Sequence, residues 1–535
     1  MSHVTTVTRA VPPTPPRSQP PVDRQRLWAL PGVRAGLFGA LLLCAAGWAD
    51  APISAPLDGS SPLGGVPVIG WFRTTHLGEV LATVLFFVGM VGLLTGWVRL
   101  GSVLRARSGS VPGSVPGSVP VAGLWRVGAL WSLPLLVVPP LGSRDVYSYL
   151  AQGHLAAVGL DPYLYGPSTA PGGLLDAVGQ TWWYTPSPYG PGFTALAGWA
   201  SELTGGHLVS GFIVLRLLAV LGVLATAVLI RWVAVAVGAD PALATWLAVL
   251  NPLVLLHLVA GAHSEAVLVP FLVAAVGLAV TRRPLWAAVA LGFAAAVKIT
   301  VIVALPFLVA LWLVQRHGGQ RVEDRLRRRA EVLLALAATG ATTVGVLAAL
   351  SYAGGFGFGW VNGARGSALH GSRLSLTTTL SDAAHFVGVQ VGDGGLGLEI
   401  GAGVQSLGLL VAAGLVVRLL LPGADLQRVV LRCGTALLVV ALLAPILHPW
   451  YLLPGLAVIA VARPGPRAVT FAVRLTVVFA LLVRPAGGEV LHHDAPFALL
   501  CAVIALAASL VIAVRHDRLL AGAPHTLKIS APTDS

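Results

Sequence analysis

An all-α membrane protein crossing the bilayer about 12–14 times is the fold class this sequence predicts, and three observations predict it. Of 535 residues, 56% are hydrophobic and only 10% charged, against roughly a quarter charged in soluble domains. The apolar residues come in runs near the ~20 that carry a helix across a bilayer. The remaining charges, 34 Lys and Arg against 21 Asp and Glu, sit mostly between those runs, and the only lysines are Lys298 and Lys528. A basic excess of +13 in such a chain is first a topology signal. No nucleic-acid module is discernible.

In chain order, residues 1–30 are rich in Pro, Thr and Arg and read as a disordered cytoplasmic N-terminus. Residues 36–47 resemble a signal-peptide core with Ala49-Asp50-Ala51 behind it, but an uncleaved first helix is expected, and Leu42-Leu43-Cys44 is a poor lipoprotein signal. Spans are expected at about 33–49, 78–98, 121–139, 208–230, 241–259, 264–281, 285–299, 301–315, 330–352, 400–421, 426–447, 450–463, 467–483 and 497–515. All lie in one membrane domain, 31–515, followed by a cytoplasmic tail, 516–535. The run 192–203 is too short to cross and reads as re-entrant or interfacial; 285–299 and 301–315 can also be one unit kinked at Pro306. Three copies of Gly-Ser-Val-Pro make 108–120 a low-complexity linker, and Arg321–Arg329, with Glu323 and Asp324, reads as a solvated helix. Cys44, Cys433 and Cys501 fall in apolar spans with no partner at metal-like spacing, so inert thiols are expected.

One alternating scheme puts the arginines near 99–107, 282–283, 316–329, 428–432, 463–467 and 515–518 in the cytoplasm. The opposite, external face then holds the loop 142–190, the turn 261–265, the loop 353–373, the corner His448-Pro449-Trp450-Tyr451 and the loop Leu491-His492-His493-Asp494. Most of the His, Tyr and boundary acids collect there. The adjacent histidines point apart and no further ligands are evident, so no metal is expected.

The run from Ser143 through Arg144, Asp145, Tyr147, Tyr149, Gln152 and His154 to Pro167 is the longest polar and aromatic stretch in the chain. Partial desolvation raises a boundary carboxylate's proton affinity and suits Asp145 to accept a proton from a hydroxyl nucleophile. An Asp in this position also caps the helix after it or pairs with Arg144. Residues 147–158 read as an amphipathic helix lying flat on the membrane. Asp161-Pro162-Tyr163 and Ser187-Pro188-Tyr189-Gly190-Pro191 are Pro-set turns whose tyrosines can stack on sugars or simply stiffen the loop. Glu265, in a turn at membrane depth, is a functional candidate with His263 beside it, or the two form a structural lock. Lys298 emerges where a lipid phosphate would sit, with Arg144, Arg365 and Arg373 as further cations, or it snorkels to the interface. His448 and Tyr451 mark a helix break at headgroup depth, where aromatic residues also belong for interfacial reasons.

The Arg144-Asp-Val-Tyr-Ser-Tyr149 run, Gly153-His154, Gly159-Leu-Asp-Pro-Tyr163, Ser187-Pro-Tyr-Gly-Pro191, His263-Ser-Glu265, Ala296-Val-Lys298 and Pro449-Trp-Tyr451 together resemble the actinobacterial polyprenol-phosphomannose-dependent alpha-1,6-mannosyltransferases, membrane glycosyltransferases of the GT-C class. The likeness runs from about Gly36 to Arg515, with one departure: Ser264-Glu265 stands where the family more often has Asn-Asp. It implies a GT-C-like bundle with an external catalytic loop bearing amphipathic helices, and a site on the outer face of the plasma membrane. It further implies a polyprenyl-phosphate mannose donor, a lipid-linked mannan acceptor and an inverting alpha-1,6 transfer, with surrounding membrane lipids and no cofactor. Asp145 would be the base, Lys298, Arg144, Arg365 and Arg373 would bind the donor phosphate, and Tyr147, His154, Tyr189, His263, Glu265, His448 and Tyr451 would line the substrates. A related enzyme using another lipid-linked sugar such as arabinose, and a lipid or sugar transporter, are the competing readings.

Overall fold

The computed structural model describes residues 27–50, 67–108, 120–317, 325–367, 371–420, 425–491 and 495–522. The protein is an all-α polytopic membrane protein. Among the described residues, eight helices are each long and apolar enough to cross a bilayer, nine if one sharply bent pair counts as a span, and three shorter apolar helices accompany them.

The chain opens with α1 (Val33–Asp50), α2 (Pro67–Thr74), α3 (His76–Ser108) and α4 (Val121–Leu136), of which α1 packs against both α3 and α4. A layer of shorter helices follows: α5 (Asp145–Ala157), α6 (Gly173–Ala177) and α7 (Pro191–Leu203). The long α8 (Leu208–Val237) leads to α9 (Pro241–Ala248), a π-helical segment (Val254–Ala260) and α10 (Glu265–Val280). Next come α11 (Pro284–Ala295), a 3₁₀ turn (Ile299–Ala304), α12 (Leu305–His317), α13 (Arg325–Ala353) and α14 (Trp360–Ser367). The hairpin α15 (Leu376–Gln390) and α16 (Gly394–Leu419) precedes α17 (Leu426–Leu443), a 3₁₀ turn (Pro449–Leu452), α18 (Leu453–Val461), α19 (Pro466–Ala480) and α20 (Pro496–Gly522). Every expected span falls on one of these helices or on two joined by a break.

The breaks have local causes. Pro252 has no N–H to continue α9, and Asn251 replaces the lost bonds: its side-chain oxygen accepts from the Leu253 N–H at 2.9 Å and its amide donates to Leu247 O and Thr476 Oγ1 at 3.1 and 3.0 Å. The π-helical segment ends in a 116° bend that passes through Ala262 at φ 55°, a left-handed conformation that costs a non-glycine residue energy and recurs at functional sites. The region 285–315 breaks at Lys298, whose backbone is extended (φ −152°, ψ 117°), and not at Pro306. Pro306 lies in the first turn of α12, where a proline forfeits no helical bond.

One expectation needs correction. The helix after Asp145 is present, but it does not lie flat on a membrane: α5 is buried from Val146 through Gly153, with Ser148 and Gln152 inside. Gly153 explains the enclosure, because a Cβ there would stand 2.3 Å from the Ala197 backbone, so α7 sits directly on it. Where no span was expected, the fifteen-residue α15 forms, and it is not among the helices long and apolar enough to cross a bilayer. Among the thiols, Cys433 is buried, Cys44 and Cys501 are half-buried, and all three are free. The tail 1–26, most of the Gly-Ser-Val-Pro linker, residues 318–324 of the arginine cluster, His492-His493-Asp494 and the C-terminal 523–535 lie outside the described residues.

Candidate active site

The C-terminal ends of α4, α11, α17 and α19 and the N-terminal end of α10 meet at one end of the bundle, while Arg282, Arg283, Arg316, Arg428, Arg463 and Arg467 belong to the opposite ends of the same or adjoining helices. Asp145 enters this meeting point from α4. The turn before it is pinned to the strap 483–489, where Gly142 N–H donates to Pro485 O at 3.3 Å, and the Asp145 N–H donates to Ser143 Oγ at 3.1 Å. Arg216 of α8 fixes the approach: its guanidinium donates to Leu136 O at 3.0 Å, to Val138 O and to Ala260 O. One buried side chain therefore ties the segment leading to Asp145 to the segment leading to His263, while resting on the Phe212 ring at 4.1 Å.

Past the bend, His263 is fully buried and points Nδ1 at Asp145 Oδ2 (3.6 Å) and at the Tyr149 hydroxyl (3.2 Å). Its ring stacks on Trp450 at 3.7 Å, and the far face of Trp450 stacks on His448 at 4.7 Å. Both faces of Trp450 are thus taken by histidines, so it acts as a pillar and not as a sugar platform. Tyr149 packs edge-on to Tyr189 and Phe193 at 4.9 and 5.0 Å.

Glu265 does not pair with His263 as the lock weighed above. Instead its Oε1 accepts from Lys298 Nζ at 2.8 Å, and the same ammonium sits 3.4 Å from the centre of the Tyr451 ring. Lys298 is delivered there by a stitched loop: Gly190 N–H donates to Val297 O, and Gly192 and Phe193 N–H donate to Ala296 O, at 2.9–3.1 Å. A Cβ at Gly190 would lie 2.4 Å from Ala296 O, which is why the Ser187–Pro191 turn has glycine at that position.

The His448 corner is held by hydroxyls. Ser375 and Thr378 donate to Ala444 O and Pro445 O at 2.7 and 2.6 Å, and Ser372 Oγ lies 2.6 Å from Leu447 O and within reach of Glu489. Glu489 faces His448 Nδ1 at 3.7 Å.

Exposure separates the charged groups by task. Glu265 and His263 are 1% and 0% exposed, whereas the Asp145 and Lys298 side chains keep 18% and 16%. The His448 and Glu489 side chains are partly exposed too, at 26% and 17%, so two carboxylates, an ammonium and an imidazole reach the surface of the cluster. Burial, reinforced by Glu265, pushes the Asp145 carboxyl up to about 6 against the opposing pull of Lys298 and the Ser143 bond, the direction that suits a base.

Of the residues expected to line substrates, Tyr189, His263, Glu265, His448 and Tyr451 do join Asp145 and Lys298. Tyr147 turns instead toward Phe212 at 6.4 Å, and His154 faces Ser201 at 3.3 Å, joining α5 to α7. Arg144 is exposed at the helix start. Arg373 is exposed and donates to Leu491 O at 3.5 Å, next to the Ser372 anchor. Arg365 belongs to α14, and its side chain lies outside the described residues. Absent from the expected set were Tyr149, Trp450, Ser143, Arg216 and Glu489. Arg216, a lone charge inside an apolar span, carried a readable signal; Glu489, a single acid in a loop, carried none.

Comparison with known proteins shows the family of this chain. Residues 33–314 match the family described as alpha-(1->6)-mannopyranosyltransferase, N-terminal domain, and residues 377–514 match the MptB C-terminal domain. The chain is 32% identical to alpha-(1->6)-mannopyranosyltransferase A of Mycobacterium tuberculosis over 469 residues, 85% of each chain. It is 28% identical to alpha-(1->6)-mannopyranosyltransferase A of Corynebacterium glutamicum over 82% of this chain and 90% of that one. To alpha-(1->6)-mannopyranosyltransferase B of the same organism it is 30% identical, over 74% and 68%. No solved structure matches. With Asp145, His263, Glu265 and Lys298 inside the first matched region and His448, Tyr451 and Glu489 inside the second, the chain belongs to the alpha-(1->6)-mannopyranosyltransferase family.

Proposed function

We propose that the protein transfers mannose from a polyprenyl-phosphate mannose to a mannose residue of a lipoglycan such as a lipomannan core, forming an alpha-1,6 linkage with inversion, at the outer face of the plasma membrane. The observation that carries this reading is the Asp145 carboxylate and the Lys298 ammonium, both partly accessible beside the buried His263 and Glu265. Asp145 takes the proton from the acceptor 6-hydroxyl as that oxygen forms its bond to the anomeric carbon. The bond from that carbon to the phosphate oxygen breaks on the opposite face, and the departing phosphate gains negative charge. Lys298, shared between Glu265 and the phosphate, offsets that charge, with the exposed Arg144 and Arg373 and, from α14, Arg365 as further cations.

Orientation rests on the arginine-bearing helix ends, which belong in the cytoplasm and leave the cluster outside. Transport is the weaker reading, because a transporter binds near the bilayer midplane between repeats, whereas these polar groups gather at one end of the helices.

Membranes given labelled polyprenyl-phosphate mannose and a dimannoside should yield a labelled trisaccharide with a new alpha-1,6 bond, and none with Asp145→Ala. Product from polyprenyl-phosphate arabinose alone, or from no lipid-linked sugar, overturns the reading.

A further inference from the structure

Helix α5 carries a second polar feature that neither the base nor the ion pair uses. Counting along it, Asp145, Ser148 and Gln152 fall at i, i+3 and i+7, on one face. Ser148 and Gln152 are each 2% exposed, and the Ser148 hydroxyl and both polar atoms of the Gln152 amide have no hydrogen-bond partner. Buried polar groups are nearly always satisfied, and unsatisfied ones call for an occupant.

The other faces of α5 are accounted for. Tyr147 packs on Phe212, Leu150 fills the space beside Gly211, Gly153 meets Ala197, His154 meets Ser201, and Tyr149 packs on Tyr189 and Phe193. The segment holding the 3₁₀ turn Pro167–Thr169 and α6 also packs on α5. Gly172 and Gly173 in that segment are exposed, with nothing within 4 Å of where a side chain would start.

We propose that the Asp145–Ser148–Gln152 face is a subsite for a neutral polyhydroxylated chain, the sugar units of the acceptor beyond the one that reacts. An amide offers a donor and an acceptor side by side, and a hydroxyl beside it does the same, which matches the vicinal hydroxyls of a pyranose. The stripe has no cation to hold a phosphate, and a polyprenyl tail would leave the amide unsatisfied. Its length from residue 145 to 152 is roughly 10 Å at 1.5 Å per residue, more than a single pyranose ring covers. The inference rests on Asp145 being the group that meets the acceptor hydroxyl.

The test compares mono-, di- and trimannoside acceptors. In the native enzyme KM should fall by about tenfold or more on lengthening, the scale of one or two good hydrogen bonds, and in Gln152→Leu that gain should collapse toward none. Gln152→Leu should also melt at the same temperature as the native protein or higher, since an apolar isostere removes an unsatisfied buried amide. If Gln152→Leu fails to fold, Ser148→Ala and Gln152→Asn report the same length dependence. Variants that keep the native dependence mean that ordered water alone occupies the stripe, and overturn the inference. Native enzyme that accepts no mannoside of any length sinks the functional reading and this inference together; normal transfer with unchanged length dependence sinks only the inference.

Discussion

Lys298 neutralises Glu265 in the interior and keeps 16% of its side chain exposed, which the proposed contact with a donor phosphate requires. Its removal leaves Glu265 as an uncompensated buried carboxylate, so Lys298→Met should destabilise the protein by about 3–5 kcal/mol, most of which Lys298→Met with Glu265→Leu recovers. Thermal unfolding in detergent measures both, and transfer should remain absent in the double variant. In the proposed role of base, Asp145 works only when ionised. With its carboxyl raised to about 6 by burial, kcat should fall as pH drops through about 6 and be unaffected by this group well above it, which a pH–rate profile reads directly. An acid limb near the ordinary range of an exposed Asp would mean that Asp145 is solvated when it reacts.

Helices set these residues in place through close contacts and deliberate breaks. Because α7 lies on Gly153 with backbone against backbone, Gly153→Val should cost at least about 1–3 kcal/mol through overpacking and tilt α5, lowering the melting temperature and the rate together. The spans were legible because each is a long apolar run, and the breaks at Asn251-Pro252 and Lys298 were legible as polar interruptions. The helix α15 was not, since Thr377, Thr378, Thr379, Ser381, Asp382 and His385 dilute its apolar residues below the level of a span. The enclosure of α5 was hidden for a related reason. Polar residues at Ser148 and Gln152 read as a wet face, and nothing in local sequence says that α5 will be buried.

Across the molecule, residues as far apart as Asp145 and Glu489 belong to one candidate site because helix ends from both halves of the chain converge. That convergence is tertiary, so Asp145, Glu265 and Lys298 were individually visible in the sequence while the Lys298–Glu265 pair and the His448–Trp450–His263 column were not. The proposed orientation puts the Asp145 end of the helices outside. In a protein whose three native cysteines have been replaced, Arg373→Cys should react with an impermeant thiol reagent on intact cells, and Arg428→Cys only after permeabilisation. The most direct test of the central claim is the kinetics of purified Asp145→Asn with polyprenyl-phosphate mannose and a dimannoside. The account predicts kcat lower by about 10²–10⁴ with donor KM within a few-fold of native, whereas a near-native kcat, or a loss confined to donor KM, would contradict it.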